Sequence, residues 1–423
     1  MKKLCSLLPI LALVIGILSS CSTQKPEPLV FGKFATTYKP GNIDASAQPK
    51  FGKLRGFLNR NRAEKNTGLY LLEAFDPEKI PVLFVHGLLD DIRTWETMVA
   101  ELKTDPEITE RFQFWFYSYP TATPVIPSSS IMKWHLDRAV STVESEFDIS
   151  MKRRLMVVGH SMGGILSKSL VSDTDDILWD AAFTEPIENF DLTDRQRTHL
   201  ANAFRYKSRP YVNSVTFIAS PQRGSYLANS FIGKIGSGLS SRPHIVDELV
   251  EALLSKNKER LKPEFADFVA HNINSISTLR PDAPVTNVLA DLPIDEGVTF
   301  HTIAGIKSKN EDEEKTREIG DGVVPLWSTE LPGARCEVGI ISGHGAHRHP
   351  FASQLVNGIL KAHVGLKSEE EIIAGLETMQ LPLSRYNYDG FPLNIIRKLY
   401  DSRGQIKNSD RKTPHEHGTK TGN

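Results

Sequence analysis

The chain has 423 residues, 40% of them hydrophobic and 24% charged, with 50 lysines and arginines against 51 aspartates and glutamates. This apolar fraction is ample for a large buried core and excludes a chain that is intrinsically disordered throughout. A formal net charge of −1 provides no bulk attraction to nucleic acid or to an anionic membrane, so nucleic acid is not an expected partner and any membrane attachment must have another cause.

At the N-terminus, Lys2 and Lys3 precede an apolar stretch at 4–18. It is short for a transmembrane helix and has the charge-then-hydrophobic order of a secretory leader. The stretch ends in Leu18-Ser19-Ser20-Cys21, which resembles the lipobox of bacterial lipoproteins. The resemblance implies cleavage before Cys21 and acylation of Cys21, hence a chain tethered by lipid to a membrane of the bacterial cell envelope. An ordinary leader with small residues before its cleavage site is the competing reading, and Cys21 separates the two. Residues 1–20 are therefore expected to be a leader and 21–65 a tether and N-terminal extension, rich in Pro, Lys, Thr and Gly over 22–48. Cys5 leaves with the leader and Cys21 is taken by lipid, so no disulfide framework is available. Cys336, inside an apolar run, is expected to be a small buried hydrophobe.

Strand-like apolar runs then alternate with helical stretches. The clearest runs lie at 82–85, 112–117, 155–158, 215–219, 300–303 and 337–341. Each stops before a polar or glycine-rich loop, and a helix over 131–147 follows a serine cluster able to cap it. The alternation predicts an α/β fold of parallel βαβ units with strands buried on both faces. The run at 112–117 is apolar or aromatic on both alternating faces, as a central strand requires. In such sheets the loops at the carboxyl ends of the strands build the site.

Those loops contain the residues that carry chemistry. After the run at 155–158 comes Gly159-His160-Ser161-Met162-Gly163, a G-x-S-x-G pattern at a strand-to-helix turn. A serine hydroxyl is a poor nucleophile until a base takes its proton, and such a turn presents Ser161 to one. A glycine-rich turn with an incidental serine explains many bare matches, so partners must decide. Upstream, His86-Gly87-Leu88 follows the first strong strand. A close turn there can aim the Leu88 N–H at a developing oxyanion, with the Met162 N–H as the second donor. Downstream come Asp321-Gly322-Val323-Val324-Pro325 and then Ser342-Gly343-His344-Gly345-Ala346-His347-Arg348-His349. The order serine, acid, histidine assigns Asp321 as the orienting acid and His344, nearest the strand end, as the base. His347 is the second candidate, and His349 the last. A zinc site among these histidines would need a further ligand, so neither a metal nor a cofactor is expected. The glycines at 233, 236 and 238 lack the strand that a phosphate-binding loop requires, and the charge run at 311–318 is expected to be a solvated loop.

These residues, together with Ser220-Pro221-Gln222-Arg223-Gly224-Ser225, resemble the α/β-hydrolase superfamily, specifically bacterial lipase-like esterases, over roughly residues 66–366. The resemblance implies a mostly parallel central sheet flanked by helices, with acid and base at the positions already assigned. One departure is Gln222, where lipase relatives often have Thr-Pro-His in place of Ser220-Pro221-Gln222. Insertions at 172–212, with Trp179, Phe183, Phe190 and Phe204, and at 226–297 are expected to form helical caps. They would serve as an apolar lid that selects acyl chains or as plain cover for the sheet. Residues 367–423 are expected to hold a C-terminal helix, opening at Ser368-Glu369-Glu370-Glu371, and a disordered tail. The expected function is a membrane-tethered serine hydrolase that cleaves carboxylic esters, its partners an ester or lipid substrate and the membrane. The alternatives are acyl transfer on the same fold and a non-catalytic binding lipoprotein, which would be expected to lack a member of the Ser-His-Asp set.

Overall fold

The apolar runs pair into one sheet. In this computed structural model, which describes residues 32–33, 65–226, 243–271, 274–307, 318–368, 371 and 396–399, the sheet has nine strands. Their chain order is β1 (Gly32–Lys33), β2 (Gly68–Leu71), β3 (Ile80–Val85), β4 (Phe112–Ser118), β5 (Leu155–His160), β6 (Val212–Ile218), β7 (Thr299–Ile306), β8 (Cys336–Ile341) and β9 (Ile396–Leu399). Across the sheet the order is β1-β2-β4-β3-β5-β6-β7-β8-β9. Strands β3 to β8 pair in parallel, whereas β1, β2 and β9 join antiparallel. The stretch expected as a leader, Cys21, residues 227–242 with their three glycines, the charge run up to residue 317, most of the helix expected to open at Ser368 and the tail from 401 lie outside the described residues.

Each of the six expected runs lies within or overlaps one of the parallel strands. Strand β2 was not expected: its four residues carry little pattern, and its pairing partner β4 is remote in sequence. All seven residues of β4 are buried, because helices cover both faces of the sheet. The period of two sorts its side chains between two cores. Trp115 and Tyr117 join Leu83, Val85 and Val157 under α3 (Val125–Phe147) and α4 (Met162–Lys168). Phe114 and Phe116 join Val82, Phe84 and Val158 under α1 (Glu96–Leu102) and, near the other end of the chain, α11 (Pro350–His363).

Helix α3 starts at Val125, six residues ahead of the expected start, with Pro124 at its N-cap. Pro127 falls in the first turn, where no N–H is needed, and so does not stop the helix. The serines expected to cap it sit inside instead, and Ser128 Oγ donates back to the Thr123 carbonyl at 3.2 Å.

The remaining helices include α2 (Pro106–Arg111) and α10 (Leu326–Thr329) outside the two stretches expected as insertions, and α5 (Ile177–Ala182), α6 (Asp194–Phe204), α7 (His244–Lys256), α8 (Pro263–Ala270) and α9 (Thr286–Asp291) within them. A capping box between Thr193 and Gln196 starts α6. Residues from both insertions share a third apolar cluster, with Phe183 touching the rings of Trp179, Phe190, Phe204 and Phe265. Cys336 is buried at the start of β8.

Candidate active site

Strand β5 ends in a turn that the backbone does not adopt cheaply. Ser161 has φ 53° and ψ −126°, a conformation that costs a non-glycine residue roughly 1–3 kcal/mol and persists only where its surroundings enforce it. They do so here: the Ser161 N–H donates to the Ile218 carbonyl on β6 at 2.9 Å, and α4 starts at the next residue. A Cβ on Gly163 would lie 2.3 Å from the Val85 carbonyl oxygen and 2.4 Å from that of His86. Only glycine lets the first turn of α4 press against the end of β3.

The loop after β3 reaches Ser161 in the same way, since a Cβ on Gly87 would meet Ser161 Cβ at 2.9 Å and His160 Nδ1 at 3.0 Å. This places residues 87–88 beside the hydroxyl. Among the described residues neither the Leu88 nor the Met162 N–H has a protein acceptor. The loop is held from behind, where Tyr119 donates to the His86 carbonyl at 2.8 Å and stacks on its ring at 4.5 Å. The Leu89 N–H donates to Thr121 Oγ1 at 3.3 Å. Burial pushes the His86 imidazole below its ordinary pKa.

His344 and Asp321 complete the arrangement. His344 Nε2 lies 2.9 Å from Ser161 Oγ, and His344 Nδ1 lies 2.8 Å from Asp321 Oδ2. A carboxylate only accepts, so Nδ1 carries the proton and Nε2 is bare toward the serine. The other carboxylate oxygen, Oδ1, accepts from the N–H groups of Val323 at 2.8 Å and Val324 at 2.7 Å. The turn after β7 thereby fixes the acid before the histidine reaches it. Asp321's side chain is 1% exposed and His344's 22%, so the carboxylate is sealed while the imidazole is partly open.

The other two histidines of the cluster are turned elsewhere. His347 is buried, its Nε2 2.6 Å from Thr94 Oγ1. That hydroxyl accepts from Arg348 Nε at 3.2 Å and Nη2 at 2.6 Å. Its own proton is therefore free only for His347 Nε2, and Arg348 also pairs with Asp90 at 3.0 Å. His349 caps α11, accepting from the Phe351 N–H at 3.2 Å. Among the described residues no group of three or more His, Cys, Asp or Glu side chains could hold a metal ion.

Two features had no forewarning in the sequence. His160 is buried beside Ser161 with Nε2 2.9 Å from the His344 carbonyl; its adjacency to Ser161 was visible, but its partner 184 residues away was not. The turn at 274–279 ties the stretch expected as a cap to the loops after β4 and β6. The Ser275 N–H donates to the Ala122 carbonyl, the Ser225 N–H donates to the Leu279 carbonyl, and Val125 donates to Thr278 Oγ1. Gln222, at the departure noted above, is buried in the loop after β6, with no partner for its side-chain amide among the described residues.

A mostly parallel sheet in this strand order, with helices on both faces and a serine on the strained turn after β5, defines an α/β-hydrolase fold. Residues 76–181 match the family described as the PGAP1-like alpha/beta domain. No curated protein matches the chain. Among solved structures, the chain is similar to the lipase BlEst2 of Bacillus licheniformis in its mature form, at 17% identity over 68% of this chain and 91% of that one, TM-score 0.36. It is also similar to the metagenomic carboxyl esterase MGS0156, at 14% identity over 64% of this chain and 65% of that one, TM-score 0.33. A third is the thermophilic esterase Est2 of Thermogutta terrifontis, at 13% identity over 72% of this chain and 91% of that one, TM-score 0.33.

Proposed function

We propose that the protein is a serine hydrolase of carboxylic esters. What carries the reading is the unbroken hydrogen-bond chain from Ser161 Oγ through His344 to Asp321, set on a strained turn beside the Gly87 loop. His344 Nε2 takes the hydroxyl proton as Oγ bonds to the ester carbonyl carbon. The carbonyl π electrons move onto oxygen, and the oxyanion is received by the N–H groups of Leu88 and Met162. Collapse of the tetrahedral intermediate breaks the bond to the leaving alkoxide, which takes the proton from His344 and departs as an alcohol. Water, deprotonated by the same imidazole, then releases the acid and restores Ser161. Asp321 keeps the imidazole in the useful tautomer and stabilises its charged form.

The lipobox-like sequence at 18–21 supports a second part of the reading: a lipid on Cys21 holds the hydrolase at an envelope membrane. No helix among the described residues is long and apolar enough to cross a membrane.

A fluorophosphonate probe tests the enzyme reading. The wild type is expected to become labelled and to hydrolyse short p-nitrophenyl esters, while Ser161→Ala does neither; an unlabelled, folded wild type overturns it. For the tether, wild type expressed in a bacterium is expected to incorporate radiolabelled palmitate and sediment with membranes, and Cys21→Ala to lose both. A soluble, unlabelled wild type overturns that part.

A further inference from the structure

We infer that His160 is a positioning residue that hangs the loop bearing the base from the strand bearing the nucleophile. The inference rests on the hydrolase reading above, since it concerns how His344 is kept on line with Ser161. His344 sits between Gly343 and Gly345, and a Cβ on Gly345 would touch nothing within 4 Å. Two glycines make this stretch intrinsically loose, and it is also open, His344 being partly exposed. Yet the base must stay at 2.9 Å from Oγ while it gains and gives up a proton. The two hydrogen bonds of the imidazole hold its far end and leave the main chain free to rock.

The main chain is held from the opposite side. Side chains alternate along β5, so His160, next to Ser161, points to the other face of the sheet, toward Trp95. There Nε2 meets the His344 carbonyl at 2.9 Å. A carbonyl oxygen only accepts, so Nε2 carries the proton and donates. His160 Nδ1 has no partner among the described residues and lies at the surface of Gly87, and the ring is covered by that of His347, centroids 3.7 Å apart. His347 is pinned in turn through Thr94 to Arg348 and Asp90. One imidazole thus touches the nucleophile's strand, the loop beside the oxyanion and the loop of the base. Burial holds its pKa down to about 3, with the nearby His344 charge acting in the same direction. The ring stays neutral, with a single N–H, over the whole range in which an esterase works.

The test separates this hydrogen bond from mere filling of space. A glutamine amide nitrogen stands the same number of bonds from the backbone as Nε2, and an asparagine amide nitrogen the same number as Nδ1. In the full-length protein, His160→Gln is expected to keep kcat near that of the wild type. His160→Asn and His160→Leu are expected to lose about 100-fold in kcat with KM unchanged, in proteins whose near-UV circular dichroism matches the wild type. Fluorophosphonate labelling should slow in parallel. Equal kcat for Gln, Asn and Leu, whether high or low, overturns the inference while labelled wild type leaves the hydrolase reading standing; a wild type that is neither labelled nor active overturns both. Histidine-labelled wild type gives a check independent of whether the variants fold: its imidazole 15N spectrum should contain a ring, absent from His160→Gln, that remains the neutral Nε2–H tautomer from pH 5 to 8. An Nδ1–H tautomer or a titrating ring at that position overturns it.

Discussion

Gly87 leaves no room between itself and Ser161: a methyl group at residue 87 would stand 2.9 Å from Ser161 Cβ and 3.0 Å from the ring of His160. Neither neighbour is the free end of a flexible chain, so the loop must back away. Gly87→Ala is therefore expected to cut kcat about 100-fold or more, as loss of one oxyanion donor does, at a stability cost of about 1–3 kcal/mol. Esterase kinetics and thermal unfolding check it together. Wild-type kcat in the variant would mean that the Gly87 loop plays no part in the reaction.

Asp321 uses its two oxygens for different partners, and asparagine cannot serve both in the same way. If the amide oxygen stays on the N–H groups of Val323 and Val324, the amide NH2 faces His344 Nδ1 and imposes the wrong tautomer. Asp321→Asn is expected to fold normally and to lose about 10⁴-fold in kcat. A loss of tenfold or less, measured on a p-nitrophenyl ester, would remove Asp321 from the role of orienting acid.

His344 and His347 differ in what they face. His344→Ala removes the only imidazole of the cluster bonded to Ser161 Oγ and is expected to lower kcat by at least about 10⁴-fold. His347→Ala leaves the serine paired and instead breaks the contacts to Thr94 and His160, with about 10-fold to 100-fold lost through misplacement of the loop. The reverse ranking would transfer the role of base to His347.

His301 on β7 is buried, and burial, aided by the charge of Arg335, pushes its pKa down to about 4. The unfolded chain takes up this proton near pH 6.5 and the folded protein only near pH 4, so the unfolded state binds more protons between those values. Stability is therefore lost as pH falls from about 6.5 to about 4, at up to about 1.4 kcal/mol per pH unit for this residue. Urea unfolding at a series of pH values should show a shallower acid decline for His301→Gln. Identical slopes would place the acid sensitivity elsewhere.

Phe183 sits where the two insertions meet, 2% exposed among four other rings. Phe183→Ala is expected to cost about 3–5 kcal/mol where its packing is cooperative with the body. If the cap melts on its own instead, a separate early transition appears in calorimetry, and preference among acyl lengths broadens while Ser161 stays labelled. A single unchanged transition would show that the insertions do not depend on this cluster.

Periodicity along the chain was enough to determine the parallel strands, because a strand buried on both faces has to be an unbroken apolar run and the loop that follows has to be polar. It also supplied the order serine, acid, histidine, since each of those residues follows a separate run. It did not supply β2 or the true start of α3: the first is a short segment stabilised by pairing with β4, and the second is a helix that tolerates Pro127 in its first turn. It ranked His344 ahead of His347 and His349 only by nearness to the strand end. They lie within six residues, and what distinguishes them is Thr94, 253 residues from His347, and Ser161, 183 residues from His344. Local pattern carries the information for elements, because propensity and burial act residue by residue. Which nitrogen meets which oxygen is decided only when loops from β3, β5, β7 and β8 are brought to one edge of the sheet, and there His160 Nε2 meets the carbonyl of the histidine that the chain order had pointed to.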